Sequence, residues 1–251
     1  MKAKEIIFGL LFCIFVFVFM HFMNNRNTID TVVYESNNQG EFVENEVLEQ
    51  DEESYQELIN RLQQENNNKD IKALFRIPNT TYSSIVPQGN DNKYYLRRLP
   101  DKTYSRLGST YIDYRVNIEN SSKLLIYGHN SSKYTMPFDI LENYYDKEYL
   151  KNHKYLELVT EHGIKTYEIF SVYVEVKDYS YYQKMEFATK EDWYNHIKRM
   201  KDKSMYDTGV SIDENDKILI LQTCSTHKSY QKYAKKYLLI ISKEVKVNEI
   251  N

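Results

Sequence analysis

The stretch Lys217-Ile218-Leu219-Ile220-Leu221-Gln222-Thr223-Cys224-Ser225 decides how this chain is read. A continuous aliphatic run bounded by polar residues is the pattern of a β-strand buried on both faces. Here a thiol stands where the strand leaves the core, and Ser225-Thr226-His227-Lys228 beyond it is polar. The other cysteine, Cys13, lies in an N-terminal apolar segment. Cys224 therefore has no partner for an internal disulfide and is a candidate reactive thiol. A second apolar strand, Lys123 to Tyr127, runs into Tyr127-Gly128-His129-Asn130. A thiol and an imidazole, each at a strand end, are the raw parts of acyl transfer through a covalent intermediate.

Outward from these strands the chain alternates short apolar runs with turns. Leu74 to Ile77, Ser84 to Val86, Tyr155 to Thr160, Thr166 to Val176 and Tyr237 to Ser242 read as strands, with Glu161-His162-Gly163 as a hairpin turn. Met136 to Leu150 has helical spacing, and Glu191 to Met200 reads as an amphipathic helix with Trp193, Ile197 and Met200 on one face. The pattern is mainly β with added helices, a barrel or sandwich core, and it has neither a βαβ rhythm nor a glycine-rich phosphate loop.

The N-terminal third is different. Ile6 to Met23 is apolar except for His21 and just long enough to span a bilayer. Lys2 and Lys4 precede it and acid dominates after Arg26, so charge places the N-terminus in the cytoplasm and the rest outside. No small-residue cleavage site follows, so the segment reads as an uncleaved signal anchor. Residues 27–70 carry twelve Asp/Glu against two Lys/Arg. The expected organisation is a signal anchor over residues 1–26, an acidic linker and N-terminal helix over 27–70, the helix pattern running from Glu41 to Asn68, and a catalytic domain over 71–251. The net charge of −3 leaves about +5 on residues 71–251, too little over 181 residues to give a footprint for nucleic acid.

Among the histidines, His129 is the candidate partner of the thiol, as general base or as an imidazolium that lowers its pKa. His227 is the rival base, too far along an extended chain unless a turn returns it. His153, His162 and His196 read as surface residues. No His, Cys, Asp or Glu spacing suggests a metal, and no cofactor is expected. Acyl transfer also needs a donor for the oxyanion. No Arg follows Arg199, so Lys228, Lys232, Lys235 and Lys236 are the cations between the thiol and the last strand.

The pieces IVPQGNDNKYYL (85–96), LLIYGHNSSKYTMPFDIL (124–141), YEIFSVY (167–173) and ILILQTCS (218–225) resemble class B sortases. In order these are a strand-borne DN-x-YYL segment, a YGHN loop and a TLxTC-like strand, here with Ile220 where the family has Thr. The resemblance covers roughly Ile71 to Ser242. It implies a closed sortase-type β-barrel of about eight strands with an N-terminal helix and an inserted helix. It also implies a membrane-anchored cysteine transpeptidase with its catalytic domain outside the cell. Such an enzyme cleaves an NPxT-G/N-type sorting signal after Thr and passes the surface protein to an amine of peptidoglycan or its lipid-linked precursor. Carried onto this sequence, Cys224 matches the nucleophile and His129 the catalytic histidine. Where the family has Arg before the last strand, this chain has Lys236, or by another alignment Lys235 or Lys232. Lysine lacks the bidentate fork, which leaves open a weakly active or inactive sortase-fold binding module as the alternative. Asn130 and Ser225 are expected to orient the site, with Lys236 and main-chain N–H groups near Cys224 holding the oxyanion. A papain-like protease is disfavoured because no CGSCW-like segment appears and the histidine precedes the cysteine. The neighbourhood QTCST does not supply what an L,D-transpeptidase requires.

Overall fold

The computed structural model describes residues 53–246. Eight strands form one sheet: β1 (Ile71–Arg76), β2 (Ser83–Pro87), β3 (Tyr111–Ile112), β4 (Lys123–Tyr127), β5 (Tyr155–Thr160), β6 (Gly163–Glu175), β7 (Ile218–Cys224) and β8 (Tyr237–Val245). Their order is β2-β1-β5-β6-β8-β7-β4-β3. Only β4 and β7 pair in parallel; every other neighbouring pair is antiparallel. The two outer strands of this order approach each other. Ser84 Oγ lies 2.6 Å from Thr110 Oγ1, which donates to the Ile85 carbonyl at 3.2 Å. The sheet thus curls into a nearly closed barrel with a few helices.

Continuous apolar strands make sense because the sheet is covered on both faces. Inside, Leu219 and Leu221 of β7 meet Leu238 and Ile240 of β8, Ile126 of β4, Phe75 and Phe138. On the other face Ile218, Ile220, Leu239 and Ile241 pack beneath Trp193, Ile197 and Met200. Those three sit on the helix Lys190–Asp202, which Thr189 caps by accepting from the Asp192 N–H at 3.0 Å. Truncating any of these buried side chains to Ala costs about 2–5 kcal/mol.

Among the described residues four α-helices accompany the barrel: α1 (Tyr55–Glu65), α2 (Lys147–Asn152), α3 (Tyr179–Tyr182) and α4 (Lys190–Asp202). A capping box of Ser54 and Glu57 starts α1, whose Leu58, Ile59 and Leu62 pack on Ile71. The earlier part of the expected 41–68 helix, up to residue 52, lies outside the described residues, as does Ile6–Met23. Among the described residues no helix is long and apolar enough to cross a membrane.

Two expectations are corrected. Met136 to Leu150 is not one helix but a 3₁₀ segment, Asp139–Tyr145, followed by α2. Asp146 breaks it: its backbone is extended, and its carboxylate accepts from the Glu148 N–H at 2.8 Å as an N-cap. His196 is not on the surface but 3% exposed, on the buried face of α4. Its Nε2 accepts from Lys123 Nζ at 3.0 Å, and that ammonium also donates to the Tyr182 and Lys184 carbonyls at 2.5 and 2.8 Å. Burial pulls Lys123 down to about 7 and, with the Lys123 charge beside it, His196 down to about 3.

Candidate active site

Parallel pairing assembles the site. The β4/β7 ladder sets Tyr127 against Gln222. Parallel strands end at the same edge, so His129, two residues past Tyr127, and Cys224, two past Gln222, emerge together. Gly128 N donates to the Gln222 carbonyl at 3.1 Å, and Asn130 Nδ2 to the Cys224 carbonyl at 3.0 Å. A side chain at Gly128 would overlap the buried Phe138 ring, the physical reason for glycine in this loop.

The end of β4 is anchored from below. Asp113, 0% exposed, accepts from Tyr127 Oη at 2.7 Å, from Asn92 Nδ2 at 2.9 Å, and from the Arg115 Nε and Nη2 at 2.9 and 2.7 Å. Burial pushes this carboxyl up, but the bonds from Arg115, Tyr127 and Asn92 outweigh it and hold the group at about 2. Sequence reasoning missed this network. Its traces were Asn92, inside the DN-x-YYL segment, and Tyr127, which opens the YGHN loop.

His129 is partly buried, and its Nε2 lies 2.8 Å from the Leu96 carbonyl oxygen. A carbonyl only accepts, so Nε2 carries a proton and Nδ1 is the nitrogen left to exchange one. Gly108 frames the ring. It has φ +62°, and a Cβ there would stand 2.6 Å from the Leu96 oxygen and 3.0 Å from His129 Cδ2. Among the described residues no hydrogen bond joins His129 to the thiol. The rival base is turned elsewhere: His227 accepts from the Ser229 N–H at 3.3 Å and lays its ring 4.5 Å from that of Tyr145.

Cys224 is a free, exposed residue on a cleft of about 310 Å³ that Asn130, Ser131, Gln231, Lys236 and Tyr237 also line. Protein packed around the sulfur raises the thiol pKa, and the Lys236 charge opposes that rise. The three candidate lysines separate in space. Lys236 is partly buried beside the thiol, with Nζ 3.2 Å from the Tyr233 carbonyl. The Lys235 ammonium lies 5.8 Å from the Tyr179 ring centroid, and that of Lys232 5.3 Å from the Tyr233 ring.

The turn after the thiol is clamped. Ser225, 3% exposed, shares a 2.6 Å hydrogen bond with Tyr145 Oη. The Ser225 N–H donates to the Lys236 carbonyl at 2.9 Å, and the Thr226 N–H to Glu142 Oε1 at 2.5 Å. The Thr226 hydroxyl donates to Glu142 Oε2. The main-chain N–H groups of Ser225 and Thr226, which follow Cys224, are thus both engaged.

Comparison with known proteins agrees with this architecture. A family model for the sortase domain matches residues 75–244. Sortase B of Listeria monocytogenes is 35% identical over 168 residues, 66% of this chain and 67% of that protein. The crystal structure of Clostridium perfringens sortase B superposes with a TM-score of 0.67 at 31% identity, covering 74% of this chain and 99% of that one. A sortase B complexed with triglycine gives a TM-score of 0.69 at 26% identity, covering 78% and 89%.

Proposed function

This chain belongs to the sortase family, in its class B, and from that membership we propose that it is a membrane-anchored transpeptidase for surface proteins with a C-terminal NPxT-G/N-type sorting signal. The observation that carries the mechanism is the β4/β7 register, which delivers His129 and Cys224 to one edge of the barrel, where Asn130 and Cys224 line one cleft. The anchor is Ile6–Met23, with the N-terminus inside and the catalytic domain outside.

As the signal enters, the Cys224 proton passes to His129 Nδ1 and the sulfur adds to the carbonyl carbon of Thr. The carbonyl electron pair moves to oxygen, next to the Lys236 ammonium. When that pair returns, the C–N bond breaks and His129 gives its proton to the leaving amine. The thioester is then attacked by an amine of peptidoglycan or its lipid-linked precursor. His129 takes the proton of that amine, the C–S bond breaks, and the proton passes back to the departing sulfur. The triglycine complex of a related sortase B supports an amine-bearing acceptor. Asn130 fixes the main chain of Cys224, and Ser225 anchors the turn through Tyr145.

A second reading has an observation of its own. Lysine at position 236 and a thiol held above its ordinary range suit a binding module that recognises the signal and turns over negligibly. Incubation with a panel of NPxTG and NPxTN peptides and hydroxylamine separates the two. The transpeptidase gives peptide hydroxamates ending at Thr, lost in Cys224→Ala, whereas the binding module gives peptide binding with no hydroxamate.

A further inference from the structure

Tyr237 opens β8 directly opposite Cys224 in the β7/β8 ladder. Residues paired across an antiparallel ladder project from the same face. The phenol and the thiol therefore leave the sheet side by side, and both line the same cleft. The ring is partly buried and held in place. It meets Tyr179 edge to face, with centroids 5.3 Å apart and planes at 83°. Tyr179 is itself tied down, its hydroxyl 2.8 Å from both the Val176 and the Lys235 carbonyl oxygens. The Tyr237 hydroxyl has no hydrogen-bond partner among the described residues, and unlike that of Tyr173 it is not sealed from water.

Several donors around the thiol already have partners. The N–H groups of Ser225 and Thr226 are engaged by Lys236 and Glu142. Asn130 directs its amide at the Cys224 carbonyl, and the Lys236 ammonium at Tyr233. Lysine also brings a point charge where a guanidinium would bring two aimed bonds. The Tyr237 hydroxyl, on a ring held by Tyr179, stands on the same cleft as the thiol.

We infer that Tyr237 is a further catalytic residue, whose hydroxyl donates a hydrogen bond to the oxygen that becomes anionic when the Cys224 sulfur adds to the Thr carbonyl. This rests on the transpeptidase reading above. The proton stays on the phenol throughout. The C–S bond forms as the carbonyl pair moves to oxygen, the hydrogen bond strengthens there, and the pair returns as the C–N bond breaks. Burial, with the Cys224 and Tyr179 charges nearby, raises the phenol pKa above its ordinary value, so the hydroxyl keeps its proton at neutral pH.

The test follows Cys224 acylation by an NPxTG peptide by quenched-flow mass spectrometry. It compares the full-length wild type, Tyr237→Phe and Tyr237→Phe/Lys236→Arg, with peptide affinity measured in Cys224→Ala forms. Phenylalanine keeps the packing on Tyr179 and removes only the hydroxyl. Acylation in Tyr237→Phe is expected to slow about 100-fold, the lower end for loss of one oxyanion donor, at unchanged peptide affinity. Lys236→Arg should recover part of that loss by adding an aimed donor. A Tyr237→Phe acylation rate equal to wild type overturns the inference and leaves the transpeptidase reading standing. A wild type that binds peptide but never acylates brings down the transpeptidase reading, and the inference with it.

Discussion

His129 Nε2 and the Leu96 carbonyl oxygen lie 2.8 Å apart, and this contact fixes which imidazole nitrogen can move a proton. Gly108 makes room for it, with φ +62° and no Cβ to strike the Leu96 oxygen or the imidazole edge. Gly108→Ala should therefore displace the ring. A misplacement of about 1 Å can lower the rate roughly 100-fold, and forcing a side chain into the left-handed region costs about 1–2 kcal/mol. Hydroxamate formation and a thermal melt check the two effects separately. A variant as active as wild type would show that the Leu96 contact does not position His129.

The Cys224 thiol is held up by burial and pulled down by Lys236. The pH profile of alkylation by iodoacetamide should give an apparent pKa above the ordinary thiol range. Lys236→Gln removes the opposing charge, so the pKa should rise further and alkylation at pH 8 should slow. An unchanged profile would mean that the ammonium does not act on the sulfur.

Lys236→Arg tests the departure from the family pattern in the other direction. A guanidinium that reaches the oxyanion adds an aimed donor of the kind worth roughly 100-fold or more in rate. The expected result is faster acylation with peptide affinity unchanged. Equal or lower activity would show that the lysine already suits this site.

Asp113→Asn should destabilise the barrel by about 3 kcal/mol, as when a buried ion pair loses one partner, measured by urea denaturation. The pH dependence has a definite sign. The folded carboxyl stands at about 2, below its ordinary 3.8. Its contribution is complete above pH 3.8 and is lost as pH falls through 2. The variant should lack that acid dependence, and it should lose activity because Tyr127 then loses its anchor near His129.

His196 offers a second pH test. Its folded value of about 3 lies below the ordinary 6.5, so the unfolded chain binds the proton that the folded chain refuses. Stability is complete above pH 6.5 and declines as pH falls toward 3. In an NMR titration the His196 imidazole should stay neutral across roughly pH 5 to 8, the range where an ordinary histidine titrates. A midpoint near the ordinary value would contradict its burial against Lys123.

The strands that carry the site were legible because each is a continuous apolar run. Lys123–Tyr127 and Tyr155–Thr160 occupy the residues expected of them, and β7 begins one residue later than its run. The two-residue strand β3 carries no period to read. The 136–150 pattern was misjudged because its spacing is real while Asp146 prefers to cap α2. Cys224 and His129 could be named from their motifs, and the β4/β7 pairing then explains why such distant residues share an edge. What stayed hidden was long-range. The Asp113 network, the Glu142 clamp on Thr226 and the His196–Lys123 contact join residues whose proximity only the folded chain creates. Tyr237 lay in plain view as the first residue of a strand, and its alignment with the thiol depends on the β7/β8 register.

The most direct test of the central claim is intact-protein mass spectrometry after brief exposure to an NPxTG peptide and an acid quench. The account predicts a mass increase equal to the peptide acyl group ending at Thr, mapped to Cys224, released by hydroxylamine and absent from Cys224→Ala. A folded protein with a free thiol that binds the peptide and shows no adduct would contradict it.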